Sequence, residues 1–231
     1  MTPLQFTLGI TLGPELDFAG FIAGANGAVL SELETLPDAP QFIYLWGERG
    51  TGKSHLLQAA CRAAAEAGRQ AGLMPLERAG DFHPDMLEGW EAFDLVAIDD
   101  LQRVLGEAAW EQRLFLLYNA LRDAGASLVV SADRPPAAFE GALPDLVSRL
   151  SAMLVCQLQS LDDDGRLEAL QRRAQARGME LPEEVGRYLL SRVPRDMHHL
   201  IALLNDLDRA SLTRQRRLTI PFVRGVIDES R

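Results

Sequence analysis

Apolar runs alternate with helically spaced apolar residues from residue 42 to about residue 158. Short apolar runs bounded by turn signals read as buried strands, and longer stretches with apolar side chains three and four apart read as helices. The runs are QFIYLW at 41–46, Ala71–Leu76, LVAI at 95–98, SLVVS at 127–131 and MLVCQL at 153–158. Between them Ser54–Ala67 is predicted helical, and Ala108–Asp123 sets Trp110, Leu114, Leu117 and Leu121 on one helix face. Five strands alternating with helices predict an α/β fold around a parallel sheet.

From Leu161 the pattern is helical only. Asp162–Asp164 places acid at a helix start, and Gly178 ends that helix. Pro182 with Glu183 and Glu184 opens a second, a third runs from about Arg195 to Arg214, and Pro221 lies in the first turn of a short last one. The expected division is a sheet domain up to residue 160 and an all-helical domain over 161–231.

Composition adds little to this picture: 47% hydrophobic and 24% charged residues are ordinary for a globular chain. No run of about 18 apolar residues predicts a membrane span, and the uncharged stretch Met1–Pro14 lacks the basic start of a secretory signal. Cys61 and Cys156 lie far apart inside apolar runs and read as buried thiols of a cytoplasmic protein, with no disulfide or metal site. Charge is more informative. Of the net −10, residues 1–161 carry 10 basic against 21 acidic groups (−11), and 162–231 carry 13 against 12 (+1). Such a surface repels duplex DNA, so DNA is expected to reach this protein only through a partner.

Arginine supplies 22 of the 23 basic side chains, and the single lysine is Lys53. It stands in Gly47-Glu48-Arg49-Gly50-Thr51-Gly52-Lys53-Ser54, which fits G-x-x-x-x-G-K-[ST] between an expected strand and an expected helix. Glycines at such a turn let successive N–H groups aim at phosphate oxygens, and the following helix adds its positive end. A compact ammonium fits between phosphate oxygens better than a planar guanidinium. Lys53 is expected on the β- and γ-phosphates and Ser54 on Mg²⁺. Asp99 follows four apolar residues and should emerge at the carboxyl end of a core strand, opposite Ser54, as the second magnesium ligand. Asp100 stands where a water-activating carboxylate would act. The candidate nucleotide-binding set is Gly47, Gly50, Thr51, Gly52, Lys53, Ser54 and His55, for ADP or ATP with Mg²⁺.

The strings GERGTGKSHLL, LVAIDDLQ, SLVVSADRPP, LPDLVSRLS and LTIPFV, in this order, resemble the DnaA/Hda branch of AAA+ proteins from about Phe18 to Val226. The resemblance implies a P-loop AAA+ five-stranded parallel sheet domain over 13–160, a small helical lid over 161–231, and a partner-binding segment over 1–12. It looks closest to the regulatory inactivators of DnaA, since only eight residues follow LTIPFV and the operator-reading domain of the initiator is expected to be missing. By the same resemblance Asp133, or Ser131 in the same string, reads the γ-phosphate. Arg149 in VSRL matches the arginine finger, directed at a neighbouring molecule's nucleotide. His198 falls where the lid's sensing arginine is expected, with Arg195 one helical turn away as its substitute, a departure compatible with stable ADP binding. Adenine contacts are expected around Asp17–Ala25 and at the hinge.

The segment Gln5-Phe6-Thr7-Leu8-Gly9-Ile10 resembles the peptide by which such proteins reach the DNA polymerase sliding clamp, with Gln5, Phe6, Leu8 and Ile10 as contacts. An extended peptide can bury alternate side chains in a groove while Gln5 fixes its register. The implied partners are therefore DnaA, the clamp, DNA only indirectly, no membrane, and further copies of the chain through the Arg149 face. The implied function is a negative regulator of replication initiation that stimulates hydrolysis of DnaA-bound ATP. An autonomous DnaA-type ATPase or helicase loader is the alternative, which the intact phosphate loop and Asp99 keep open.

Overall fold

The computed structural model describes residues 16–194, 196–214 and 217–229. They form two compact units, one built on Asn26–Glu48 and Gly52–Gln159, the other on Ala19–Ala25, Arg49–Thr51 and the chain from Ser160 onward.

The first unit holds α1 (Gly27–Glu34), β1 (Phe42–Trp46), α2 (Lys53–Glu66), β2 (Ala71–Pro75), β3 (Leu95–Asp99), α3 (Ala108–Ala124), β4 (Ser127–Ala132), α4 (Pro144–Ser151) and β5 (Leu154–Gln157). The five strands form one sheet in the order β2-β3-β4-β1-β5, and every pairing is parallel. Side chains alternate between its faces. Tyr44, Met74, Val96, Ile98, Leu128 and Val130 meet Trp110, Leu114, Leu117 and Leu121 of α3 and Leu146 and Leu150 of α4 in one core. The alternate positions, Ile43, Leu45, Leu73, Ala97 and Val129, are equally buried on the face that α2 covers with Leu56, Leu57, Ala60 and Cys61. Burial on both faces is why these strands read as continuous apolar runs.

At the edge the expectation of two buried thiols fails for one of them. Cys61 is fully buried in α2, where loss of solvent pushes its thiol up to about 12. Cys156 is only half-buried, because β5 has one paired side and leaves Leu154 and Val155 exposed.

A buried carboxylate fixes the turn into α4. Glu111 accepts hydrogen bonds from the backbone N–H of Gly106 at 2.8 Å and of Leu143 at 3.2 Å, tying the first turn of α3 to the residue that precedes α4. Glu111 is 6% exposed.

The second unit holds α5 (Asp163–Gln175), α6 (Glu183–Arg192), α7 (Met197–Arg214) and α8 (Ile220–Glu229). Its core contains Leu167, Leu170, Val185, Leu189, Leu204 and Val223. Asp162 caps α5 by accepting from the Gly165 N–H at 2.8 Å, the role its position before an acidic first turn implied. Gly186 lets α6 approach α5 closely, since a Cβ there would collide with Leu167. No helix among the described residues is long and apolar enough to cross a membrane.

Replacing Glu111 with alanine removes the carboxylate acceptor of the Gly106 and Leu143 amides, which should lower stability by about 1–3 kcal/mol. Urea denaturation of the parent and the variant, with unchanged dependence on denaturant, measures the difference.

Candidate functional site

The phosphate loop leaves the carboxyl end of β1 and enters α2 directly. Gly50 and Gly52 have φ of 83° and 95°, a left-handed conformation that costs glycine nothing and other residues a Cβ clash. Gly52 is the N-cap of α2, and no side chain caps that helix. An uncapped helix start fed by a glycine-rich turn is an anion site. Thr51 is buried beside it.

Lys53 opens α2 and is buried, with its ammonium donating to the carbonyls of Gly47 at 2.8 Å and Glu48 at 2.9 Å. Burial pulls its pKa below the ordinary lysine value, and the carboxylates of Asp100, Asp99 and Asp133 oppose that pull. The ammonium, folded onto the loop's own carbonyls at the uncapped start of α2, is placed for a polyanion.

Topology brings the acidic pair to the same place. β4 lies between β1 and β3, so the loop after β1 and the end of β3 flank one strand. Asp99, the last residue of β3, is 8% exposed. It accepts a hydrogen bond from the Ser131 hydroxyl at 2.5 Å, and the Ser54 side chain lies near enough to influence its ionisation. Burial raises its pKa, while the bond from Ser131, the Ser54 side chain and the charge of Lys53 lower it and Asp100 raises it further. A buried carboxylate beside the exposed first-turn serine of α2 is a donor set that suits Mg²⁺ held between the two side chains. Asp100 takes a left-handed conformation, with φ 61° and ψ 47°. Its N–H donates to Ser131 Oγ at 2.9 Å and its Oδ1 accepts from Gln102 at 2.9 Å.

Asp133 lies just past β4 and half-exposed, gripped by Arg134, whose Nε and Nη2 both donate to it at 2.9 Å. The hydrogen bonds and charge of Arg134 hold its carboxyl below the usual range. Ionised, it only accepts hydrogen bonds, so it can orient water or Lys53 and not a phosphate oxygen directly. Tyr44 supports this turn by donating to the Arg134 carbonyl at 2.9 Å from within the core.

His55 Nε2 lies 2.7 Å from the Asp17 carbonyl, linking α2 to the stretch in which adenine contacts are expected. Asn26, just after that stretch, is buried and exchanges two hydrogen bonds with the Gln159 backbone, at 3.0 and 2.8 Å. His198 stands exposed in the first turn of α7, where its N–H donates to Asp196. Arg195, like Gln5, Phe6, Leu8 and Ile10, lies outside the described residues.

Arg149 occupies the last turn of α4. Its guanidinium lies 6.0 Å from the Phe115 ring centre and 5.9 Å from that of Tyr118, both on α3. It forms no ion pair among the described residues. Tyr118 in turn meets Phe42, the first residue of β1, edge to face at 4.9 Å. Arg149 therefore sits beside the beginnings of the strands, whereas the phosphate loop leaves their ends.

Sequence reasoning placed Ser54, Lys53, Asp99 and Asp100 together, and they are together. It gave no role to Gln102 and Arg134, which lie within the quoted strings LVAIDDLQ and SLVVSADRPP, and missed Asn26 and Glu111; all four act through hydrogen bonds set by the fold. Parallel sheet, strand order, phosphate loop and paired aspartates define a P-loop protein of the AAA+ class.

A family model of the bacterial DnaA ATPase domain matches residues 12–157, and one of the Hda lid domain matches residues 163–227. Domain III of the replication initiation protein DnaA from Thermotoga maritima superposes with a TM-score of 0.80 at 26% identity, covering 95% of this chain and 98% of that one. AMPPCP-bound DnaA from Aquifex aeolicus gives 0.68 at 26% identity, covering 85% and 67%. A RuvB variant of Thermotoga maritima shares the fold alone, with a TM-score of 0.67 at 17% identity over 93% and 72%. The chain belongs to the bacterial DnaA ATPase family, within the DnaA/Hda branch of AAA+ proteins.

Lys53→Ala should weaken binding of a fluorescent ADP analogue roughly 100-fold while leaving a cooperative thermal transition. Unchanged affinity in a folded variant would remove the phosphate assignment.

Proposed function

We propose that this protein is a DnaA-related regulator of replication initiation that binds ADP, or ATP, with Mg²⁺ and stimulates hydrolysis of ATP held by DnaA. Family membership supports the setting, and relatives solved with AMPPCP support an adenine nucleotide at the phosphate loop. Bound there, the nucleotide and its metal supply a polyphosphate with neutralised charge. The protein's part is to orient it with loop amides and the Lys53 ammonium, while Ser54 and Asp99 hold the cation. His198, and Arg195 beside it in sequence, belong to the lid's share of the site in this reading.

The observation that carries the activating role is the position of Arg149. It lies at the strand starts on an aromatic bed, without a carboxylate partner among the described residues. Five strand residues separate that end of β1 from its own phosphate loop, on the order of 16 Å. A cation so placed serves phosphates on another molecule. There it neutralises charge on the transferring phosphoryl group, an effect worth about 10³–10⁵ in rate. Asp133 and Asp100 act on the protein's own nucleotide, as water-orienting groups.

The segment around Gln5, Phe6, Leu8 and Ile10 binds the DNA polymerase sliding clamp in this reading, which brings an acidic protein to DNA without direct contact. Its place of action is the cytoplasm, and self-association would use the Arg149 face. An autonomous ATPase or helicase loader is favoured by one observation, the complete set of Ser54, Asp99 and Asp100 on a single chain.

One assay separates the readings. Purified alone, the protein should turn over negligible ATP; with clamp loaded on DNA it should accelerate hydrolysis of DnaA-bound ATP. Arg149→Ala should remove nearly all of that acceleration and keep ADP binding, and vigorous turnover by the isolated protein would favour the alternative instead. Deleting residues 1–10 should abolish capture by immobilised clamp without changing ADP affinity; capture at the parent level excludes the peptide assignment.

A further inference from the structure

Ser131 is the most heavily committed polar group in the sheet and has no role in the function proposed above. It is fully buried, in the strand that separates the phosphate loop from the acidic pair. Its register partner on β1 is Leu45, and it stands one step past the Ile98–Val130 pair between β3 and β4. From there its hydroxyl donates to Asp99 Oδ1 at 2.5 Å and accepts from the N–H of Asp100 at 2.9 Å. Donor and acceptor sides of one hydroxyl are thus both engaged, and a fully buried hydroxyl in this state has no donor left for a phosphate. That excludes Ser131 as a direct reader of the γ-phosphate.

Its bonds do something else. Asp99 presents two oxygens, and Ser131 fixes Oδ1, which sets the carboxylate plane relative to the first turn of α2, where Ser54 stands. The second bond supports the left-handed Asp100, a conformation uncommon for a residue with a side chain. Gln102 braces the same residue from its carboxylate.

We propose that Ser131 is a positioning residue for the divalent cation of the bound nucleotide, aligning Asp99 with Ser54 and locking Asp100 in register with it. The proposal rests on the nucleotide-binding reading of the site. Groups that orient a metal-ligating carboxylate typically influence metal affinity by about 10–100-fold, while leaving the metal-free phosphate contacts alone.

The test compares binding of a fluorescent ADP analogue in EDTA and in Mg²⁺, together with Mn²⁺ affinity of the ADP complex. In the parent, Mg²⁺ should tighten nucleotide binding. Ser131→Ala should bind in EDTA as the parent does, lose most of the Mg²⁺-dependent tightening, and weaken Mn²⁺ by about 10-fold or more. If the alanine variant does not fold, the isosteric pair Ser131→Thr and Ser131→Val decides, with threonine expected to keep the metal dependence and valine to lose it. Equal metal dependence in parent and alanine variant, or in the threonine and valine pair, overturns the proposal. A parent that binds no nucleotide in either buffer overturns the underlying reading instead, which keeps the two failures apart.

Discussion

The site depends on β4 lying between β1 and β3. Parallel neighbours are spaced by about 4.8 Å, so one intervening strand sets the ends of β1 and β3 about 10 Å apart, a gap that side chains of ordinary length close from both sides. Ser54 reaches from the helix that follows β1, Asp99 from the end of β3, and Ser131 rises between them. A further strand between β1 and β3 would put Ser54 and Asp99 out of reach.

Electrostatics are arranged around that spacing. Lys53 is the one ammonium side chain, buried near Asp99, Asp100 and Asp133. Its ammonium donates to the carbonyls of Gly47 and Glu48, and Asp133 is neutralised by its own neighbour Arg134. The polar groups are thus satisfied locally while the loop's uncapped helix end stays available. Arg149 is held differently, by the faces of two rings and, among the described residues, by no carboxylate. Aromatic faces attract a cation without neutralising it, so its charge remains free to act elsewhere.

Much of this was legible in the residues. Strands buried on both faces leave unbroken apolar runs, so QFIYLW, LVAI and SLVVS mark β1, β3 and β4 within a residue or two. Asp99 could be placed at a strand end because the apolar run stops there, and Lys53 stood out as the lone lysine. What stayed hidden needed tertiary pairing. Cys156 sits in an apolar run like Cys61, yet strand order makes β5 an edge and exposes it. Ser131 could be matched to a phosphate-reading role, but its bonds to Asp99 and Asp100 follow only from the pairing of β3 with β4. Glu111 carries no mark in the sequence, and the approach of Leu143 makes it a buried clamp. Arg149 could be matched to a family role, but its aromatic bed follows from the packing of α4 on α3.

In the proposed function the amides and ammonium around Lys53 grip a nucleotide's phosphates. Native mass spectrometry of the purified chain with ADP and Mg²⁺ measures this most directly. One ADP per chain on the parent and none on Lys53→Ala is the expected result. A bare parent, or an equally loaded variant, would contradict the account.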